Sequence, residues 1–371
     1  MVARTPTTEG LAEIWRRALH LDCVGARDDF FGLGGDSLSA AQVVVEIQKA
    51  FGRRLPLTVL HEAPTVEALA NVIDHRPDLA AWPCLVGLQP LGVRPPFFCV
   101  HGAGGTVLGL TDLARYFASH QPFYGIHAAG PEGYEQRFTS VEDMATHYVR
   151  AVRTIQSEGP YYLGGYSFGG SVALEMAQQL QAQGERVDLL AILDHTPPPA
   201  RYRWFSCTPT AMLELVLNAV LWFMEDIWRA GETHRLAALF SQARVARHRI
   251  LSLLRRGNRS GEQDVEEIFA GRKLPEPFRQ LLENHYQAMR QYVPKVYGGP
   301  VTLFRARVRP LLRPHGDDLG WRKLAGGGLE VIPVPGNHET MLKPRHVSKL
   351  AEALSAQLTK ARTRSARTYQ M

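Results

Sequence analysis

Cysteine is scarce in this chain, which has four cysteines in 371 residues. They stand at Cys23, Cys84, Cys99 and Cys207, with no CxxC pair and no close spacing. A disulfide framework or a zinc site needs cysteines in pairs or clusters, so the sequence predicts neither, and no other metal site. Scattered cysteines of this kind are typical of a protein that stays in the reducing cytoplasm.

Long apolar runs are also missing. The longest, residues 213–228, is interrupted by Glu214, Asn218 and Glu225 and is too short to cross a bilayer. No basic, apolar and small-residue segment typical of a secretory signal opens the chain. The composition, 45% hydrophobic and 21% charged, is that of a globular protein. We therefore expect a soluble cytoplasmic protein without a membrane partner, and the length favours two domains.

The positive charge is unevenly distributed. The formal net charge is +6, yet residues 1–75 hold 7 basic and 10 acidic side chains, whereas the remainder holds 35 and 26. The densest basic run, residues 244–259, lacks the aromatic side chains that stack on bases. We interpret it as an exposed helix face and expect no nucleic-acid partner. An acidic first unit next to a basic second one favours mutual docking.

Apolar residues recur at helical spacing in the first unit. Helices are predicted over residues 9–19 and 37–51 and from about residue 65, which together form a small all-α bundle over residues 5–75. Five prolines follow between residues 76 and 96, and we place a linker at residues 76–82.

From residue 83 to residue 358 the pattern is that of a second domain. Short apolar runs separated by helical patterns occur at residues 97–100, 161–163, 189–193, 301–304 and 329–332, with a further short strand at 85–88. Buried strands alternating with helices predict a mostly parallel sheet with helices on both faces. Residues 200–295 show helical patterns without a clear strand and are interpreted as a lid insertion. The basic tail, residues 359–371, is expected to be disordered.

The sequence GYSFGG at residues 165–170 matches the pattern G-x-S-x-G. A predicted strand precedes it and a predicted helix follows it, which is the context of a nucleophile on a sharp strand-to-helix turn. An ordinary glycine-rich turn is the alternative, and the flanking elements favour the nucleophile. Ser167 is the candidate.

A serine nucleophile needs a base to take its proton and an acid to orient that base. In this kind of fold the acid and then the histidine follow the serine along the chain. Asp194 ends a predicted strand at the carboxyl edge of the sheet. His338 follows a Pro-Gly turn late in the chain and is favoured among 14 histidines. His195 is expected to point elsewhere, and His101 precedes the serine.

Two backbone N–H groups are predicted to stabilise the oxyanion that such an attack produces. One belongs to Phe168, directly after the nucleophile. The other is assigned to Ala103, in the glycine-rich loop at residues 101–105. A phosphate-binding loop is the alternative there, but the G-x-x-x-x-G-K-[ST] pattern is absent.

A second serine, Ser37, stands where the second predicted helix begins. A helix N-terminus favours either a capping serine or a bound anion such as a phosphodiester. The residue pattern leaves both possibilities open.

The sequence FFGLGGDSL at residues 30–38 resembles the core motif of peptidyl carrier domains in nonribosomal peptide synthetases. It has Asp36 where histidine is frequent, a variant that also occurs in that family and in polyketide carriers. The second unit resembles the terminal type I thioesterases of the same synthetases through residues 165–170, Asp194, residues 335–338 and residues 297–301. The two resemblances cover about residues 5–75 and 83–358.

The resemblance implies a chain-terminating carrier–thioesterase. Its fold would be an acyl-carrier-like bundle followed by an α/β-hydrolase with a helical lid, and Ser37 would carry a covalent 4′-phosphopantetheine arm. A peptidyl or acyl thioester would be transferred from this arm to Ser167 and released by hydrolysis or intramolecular cyclisation. The implied partners are a phosphopantetheinyl transferase and upstream synthetase modules (adenylation and condensation, or ketosynthase). The abrupt start of the sequence favours the end of a longer synthetase.

Two other functions remain as alternatives. The chain could serve mainly as a carrier and docking module with an editing thioesterase. It could also be a lipase or carboxylesterase with an unrelated helical domain.

Overall fold

The computed structural model describes residues 5–35, 37–53, 55, 59–75, 84–117, 120–128, 138–198, 276–308 and 316–368. Most of the predicted lid, residues 200–275, therefore lies outside the described residues, as does the predicted linker, residues 76–82. Helices and strands are numbered below in chain order over the described residues.

The first unit is a bundle of helices around aromatic side chains. Its helices are α1 (Pro6–Leu19), α2 (Ser37–Phe51), the short α3 (Val59–Glu62) and α4 (Val66–His75). Thr5 caps α1 by accepting a hydrogen bond from the Thr8 N–H at 3.2 Å, and Pro6 provides the first helical residue. Trp15 and Phe30 are fully buried and meet edge to face, with ring centroids 4.9 Å apart. The periodic apolar residues thus build the core of a four-helix unit.

The hydrophobic core of this bundle extends into the second unit. The same contiguous cluster includes Leu108, Phe278 and Leu282 from the second unit, each at most 9% exposed. Burial of such side chains contributes on the order of 1.5–3 kcal/mol each. The two units therefore share an apolar contact in this structure.

The second unit is built on a seven-stranded sheet. Its strands are β1 (Leu85–Gln89), β2 (Phe97–Val100), β3 (Phe123–Ile126), β4 (Tyr161–Tyr166), β5 (Val187–Leu193), β6 (Val301–Ala306) and β7 (Leu329–Val334). Their order across the sheet is β1-β3-β2-β4-β5-β6-β7. All neighbouring pairs are parallel except β1 with β3, which is antiparallel and forms one edge. Because β4 and β5 are central, the residues at their carboxyl ends lie in the middle of one sheet edge.

Helices cover both faces of this sheet. They are α5 (Thr111–Ala114), α6 (Val141–Ile155), α7 (Gly169–Ala182), α8 (Glu276–Gln291) and α9 (Pro344–Thr368), with short 3-10 turns at Leu108–Leu110 and Trp321–Lys323. Alternate residues of β2 point to opposite faces: Phe98 packs in the cluster with α6 and α7, and Phe97 packs in the cluster with α5 and α9. The fold is the predicted mostly parallel α/β arrangement.

The tail differs from the sequence-based expectation. Residues 359–368 are not disordered but form the last turns of α9. Leu358, Ala361 and Ser365 are buried at helical spacing. The Arg364 Nη2 donates to the Asp188 carbonyl at 2.6 Å. The buried residues of this segment are small and alternate with arginines. They therefore give only a weak hydrophobic pattern, which is why the sequence suggested disorder.

Candidate active site

Ser167 occupies a strained turn between β4 and α7. Its φ angle is 53°, in the left-handed region, and its N–H donates to the Leu193 carbonyl at 3.0 Å. A Cβ at Gly165 would overlap the Gly169 carbonyl, so only glycine allows the strand and the helix to approach this closely. The turn places the Ser167 hydroxyl at the N-terminal end of α7.

His338 lies beside this hydroxyl. The His338 Nε2 is 3.0 Å from the Ser167 Oγ. The Tyr166 hydroxyl donates to the His338 carbonyl at 2.6 Å, and the two rings stack with centroids 5.1 Å apart. The Asn337 side-chain oxygen accepts from the Thr340 N–H at 2.9 Å and closes the turn that carries the histidine. The imidazole is thus held from its backbone and from one ring face.

Asp194 completes the hydrogen-bonded series. It follows β5 with a φ angle of 50°. Its Oδ2 is 2.8 Å from the His338 Nδ1, and its Oδ1 accepts from the Ala306 N–H at 2.7 Å. A carboxylate oxygen accepts hydrogen bonds, so the Nδ1 carries the proton and the Nε2 is left to accept the proton of Ser167. The structure therefore brings together the three side chains that the sequence selected.

His195, the neighbour of Asp194 in sequence, lies elsewhere. Its Nε2 is 2.8 Å from the Ser171 Oγ, one turn along α7 from the candidate nucleophile. Its carbonyl accepts from the Trp321 indole N–H at 2.6 Å. His195 is 5% exposed and Ser171 is fully buried, so this pair belongs to the interior.

The loop that follows β2 approaches the nucleophile closely. A Cβ on Gly102 would lie 3.1 Å from the Tyr166 ring and 3.8 Å from the Ser167 Cβ. Among the described residues, no backbone or side-chain atom accepts a hydrogen bond from the N–H of Ala103 or of Phe168. Phe168 directly follows the nucleophile and Ala103 follows Gly102 in the neighbouring loop, so both residues remain candidates for the oxyanion donors.

Two buried histidines that sequence reasoning did not assign to the site surround this loop. The His101 Nδ1 is 2.5 Å from the Gly102 carbonyl, and the His285 Nδ1 is 2.7 Å from the Ala103 carbonyl. Burial, together with the charge of His285, holds the pKa of His101 well below its usual value. Burial also lowers the pKa of His285 to about 4. Both rings are therefore neutral at pH 7.

Ser37 opens α2, a helix of 15 residues with no acidic side chain in its first turn. In the loop before it, a Cβ on Gly35 would overlap the Phe30 ring, which holds the loop tightly against the core. Asp36 and the side chain of Ser37 lie outside the described residues. The first turn of this helix carries no carboxylate, although Asp36 directly precedes it, and the N–H groups of a helix N-terminus can bind a negatively charged phosphodiester.

Two other kinds of site are absent from the described ranges. No helix there is long and apolar enough to cross a membrane. No group of three or more histidine, cysteine, aspartate or glutamate side chains in those ranges is arranged to hold a metal ion.

Comparison with known families agrees with the geometry. The thioesterase domain family matches residues 95–358, which is more than half of the chain. This chain belongs to that family, and its second unit is an α/β-hydrolase of the thioesterase type. The phosphopantetheine attachment site family matches residues 9–73, which identifies the helical bundle as a carrier domain that bears covalent 4′-phosphopantetheine.

The relatives are much longer proteins. The chain is 32% identical over 356 residues to the dimodular nonribosomal peptide synthase of Bacillus subtilis (strain 168), a match that covers 96% of this chain and 14% of that protein. It is 32% identical over 355 residues to malpibaldin synthetase of Mortierella alpina, covering 95% of this chain and 6% of that one. This chain thus spans a small fraction of the length of these relatives.

A solved structure resembles both units in fold. The crystal structure of a four-domain nonribosomal peptide synthetase bound to AMP and glycine aligns with a TM-score of 0.56. The match is 24% identical in sequence and covers 96% of this chain and 26% of that one.

Proposed function

We propose that this chain releases finished acyl or peptidyl chains in nonribosomal peptide biosynthesis. The observation that carries the proposal is the hydrogen-bonded series Asp194–His338–Ser167, with links of 2.8 and 3.0 Å, in a thioesterase domain. The same polypeptide bears a phosphopantetheine attachment site. The relative named as a dimodular nonribosomal peptide synthase supports the assignment of the pathway.

Ser37 is the residue that we propose for the attachment of the arm. Bound there, 4′-phosphopantetheine supplies a thiol that holds the acyl chain as a reactive thioester. The N-terminus of α2 favours the charge of the phosphodiester.

Ser167 is the proposed nucleophile. Its Oγ attacks the thioester carbonyl carbon while His338 Nε2 takes the hydroxyl proton. Asp194 accepts the Nδ1–H hydrogen bond and keeps the ring in the required tautomer. The N–H groups of Ala103 and Phe168 donate to the oxyanion. His338 then returns the proton to the leaving sulfur as the carbon–sulfur bond breaks, which leaves the acyl group on Ser167.

Release of the acyl group from Ser167 uses the same residues with a second nucleophile. His338 takes a proton from water, or from a hydroxyl or amine of the acyl chain itself, and this nucleophile attacks the acyl carbonyl. The bond to the Ser167 Oγ breaks, and His338 protonates that oxygen. The product is a free acid with water and a ring with an internal nucleophile.

The shared apolar cluster gives the carrier a docking place on the thioesterase. Leu108, Phe278 and Leu282 belong to the same apolar cluster as the carrier core, and a tethered carrier presents its substrate at a high effective concentration. A phosphopantetheinyl transferase and upstream synthetase modules are the proposed partners, and the cytoplasm is the proposed location.

Intact-mass measurement tests the proposal. The protein is incubated with butyryl-coenzyme A and a phosphopantetheinyl transferase, and its mass is followed with time. We expect the wild type to gain one butyryl-phosphopantetheine and then to lose the butyryl group. Ser167→Ala should gain the same mass and keep it, whereas Ser37→Ala should gain nothing.

Equal loss of butyryl from wild type and Ser167→Ala would contradict the proposed nucleophile. Loading of Ser37→Ala would contradict the attachment residue. Ser171→Ala is the matched control, since it removes a serine hydroxyl inside α7, four residues further along the chain, and leaves the candidate nucleophile in place.

A further inference from the structure

We propose that His101 and His285 are positioning residues that lock the oxyanion loop in its active orientation. They hold two successive carbonyls of this loop and thereby direct the Ala103 N–H toward the reacting carbonyl. This inference rests on the proposed function, because it assigns a role to the loop only if acyl transfer occurs at Ser167.

The hydrogen bonds define the tautomer of each ring. The carbonyls of Gly102 and Ala103 can only accept, so the Nδ1 of both histidines must carry the proton and donate. In His101 the Nε2 is then a lone-pair acceptor, and it receives the Tyr148 hydroxyl at 2.9 Å. Tyr148 is fully buried, so this hydroxyl has little alternative in water.

The bond from His101 acts on the peptide that carries the donor. The Gly102 carbonyl and the Ala103 N–H belong to one peptide plane, and in a trans peptide they point in opposite directions. Holding the carbonyl oxygen therefore fixes the direction of the N–H. A flip of this plane would break the bond to His101 and the 2.9 Å bond from the Gly105 N–H, and it would turn a carbonyl oxygen toward the negative charge of the oxyanion.

The next peptide is held in the same way by His285, which binds the Ala103 carbonyl. Residues 102, 104 and 105 are glycines, whose backbones have wide conformational freedom. Within the loop the Gly105 N–H donates to the Gly102 carbonyl at 2.9 Å, whereas the Ala103 carbonyl accepts from no described group other than His285. Two anchors on consecutive peptides leave the intervening Ala103 little freedom to rotate.

The aromatic rings connect the two oxyanion donors. His285 stacks on His101 with centroids 5.1 Å apart and an interplanar angle of 23°. His285 also stacks on Phe168, with ring centroids 5.0 Å apart and an interplanar angle of 17°. Phe168 carries the second proposed donor and its ring centroid lies 6.2 Å from that of His101, so the three buried rings form one cluster next to both N–H groups. Burial keeps the two imidazoles neutral, which allows them to stack without charge repulsion.

The test compares two substitutions of His285. His285→Phe keeps a ring in the stack and removes the Nδ1–H donor, whereas His285→Asn restores an N–H donor at a similar position. The probes are the butyryl thioester of N-acetylcysteamine as substrate and butylboronic acid, which forms a tetrahedral adduct on a serine nucleophile. The readouts are kcat, KM and the inhibition constant of the boronic acid.

We expect His285→Phe to lower kcat by about 10- to 100-fold, somewhat less than removal of a donor itself, with KM changed less than about threefold. The inhibition constant of butylboronic acid should rise by a similar factor. His285→Asn should recover most of the loss in kcat. Tyr292→Phe is the matched control, because it removes the buried hydroxyl that donates to Glu175 at 3.0 Å, one residue beyond α8 and away from the loop. It should lower thermal stability without lowering kcat.

Wild-type kcat in His285→Phe would overturn the inference, as would equal losses in the Phe and Asn variants. A wild-type protein that neither hydrolyses the thioester nor binds the boronic acid would overturn the proposed function and this inference with it. An active wild type with an unaffected His285→Phe would overturn the inference alone.

Discussion

Two serine–histidine pairs lie on neighbouring turns of the second unit, and their comparison shows what makes a serine reactive. The Ser167 Oγ is 3.0 Å from His338 Nε2, and the Ser171 Oγ is 2.8 Å from His195 Nε2. By distance alone the second pair is the better hydrogen bond. In the second pair both residues are buried, and Ser171 lies inside a regular helix. In the first pair the His338 side chain is 36% exposed.

The pairs also differ in what surrounds them. Ser167 has a left-handed backbone and lies in the turn before α7, and its histidine, His338, is oriented by Asp194. It lies next to two N–H groups that no described residue engages. A serine–histidine contact thus becomes a candidate site only through exposure, an orienting carboxylate and oxyanion donors together.

The strongest test of this comparison substitutes each serine by alanine. Ser167→Ala should lower kcat for a butyryl thioester by about 10⁴-fold or more, because no nucleophile remains. Ser171→Ala should leave kcat within about threefold and should lower the free energy of unfolding by about 1–3 kcal/mol, because the buried His195 imidazole loses one hydrogen bond. Steady-state kinetics and urea unfolding measure the two effects. The comparison fails if Ser171→Ala loses activity while remaining folded.

Substitution of the orienting acid is expected to have the next largest effect. Asp194→Asn keeps the size of the side chain but lets an amide N–H face the His338 Nδ1, which favours the wrong tautomer. We expect kcat to fall by about 10³- to 10⁴-fold with little change in KM. The measurement is thioester hydrolysis as a function of substrate concentration. A loss below tenfold would show that the carboxylate has no orienting role.

Because His101 and His285 are buried, we expect the free energy of unfolding to fall at acidic pH. The folded-state pKa of His285 is about 4, and that of His101 is also lowered, with the nearby His127 adding to the effect. Because these folded pKa values lie below the unfolded value near 6.5, the unfolded state binds more protons as the pH falls. The neutral form of His285 stabilises the fold fully above about pH 6.5, and roughly 3 kcal/mol of this contribution is lost by pH 4.

Urea unfolding at several pH values checks this prediction, with His285→Phe as the comparison. The variant should show a smaller loss of unfolding free energy between pH 6.5 and pH 4 than the wild type. Parallel curves for the two proteins would rule out a contribution from His285.

The smallest expected effect concerns the support of His338. Tyr166→Phe removes the hydroxyl that donates to the His338 carbonyl and keeps the ring stacked on the imidazole. We expect kcat to fall by about 3- to 10-fold, in line with the loss of about 1 kcal/mol from one hydrogen bond. Steady-state kinetics at a fixed pH measure this loss of kcat. An unchanged kcat would show that the Tyr166 ring alone, without its hydroxyl, positions His338.

The sequence predicted the alternation of strands and helices because buried parallel strands are strongly apolar. It missed β3, which has only four residues and contains Gly125. A Cβ at that glycine would lie 2.9 Å from the Val107 side chain, so packing, not strand propensity, selects this residue. It also missed the short α3, since a single helical turn carries almost no periodic signal.

The candidate site was predictable where chain order and strand ends constrain it. Ser167, Asp194 and His338 each follow a strand that the sequence revealed, and their catalytic roles remain the proposal tested above. His285 gave no such signal, because it is one histidine on an amphipathic helix and meets residue 103 only through the tertiary fold. The antiparallel pairing of β1 was likewise set by the tertiary fold rather than by any local pattern.

The apolar cluster shared by the two units has a consequence for chimeras in which one of the two units is replaced. Phe278 and Leu282 belong to α8, the same helix that delivers His285 to the oxyanion loop. A foreign carrier joined at the linker would bring different side chains against these two residues. Exchanging the carrier alone would therefore change the contacts of the helix that carries His285, and with them the surroundings of the candidate active site.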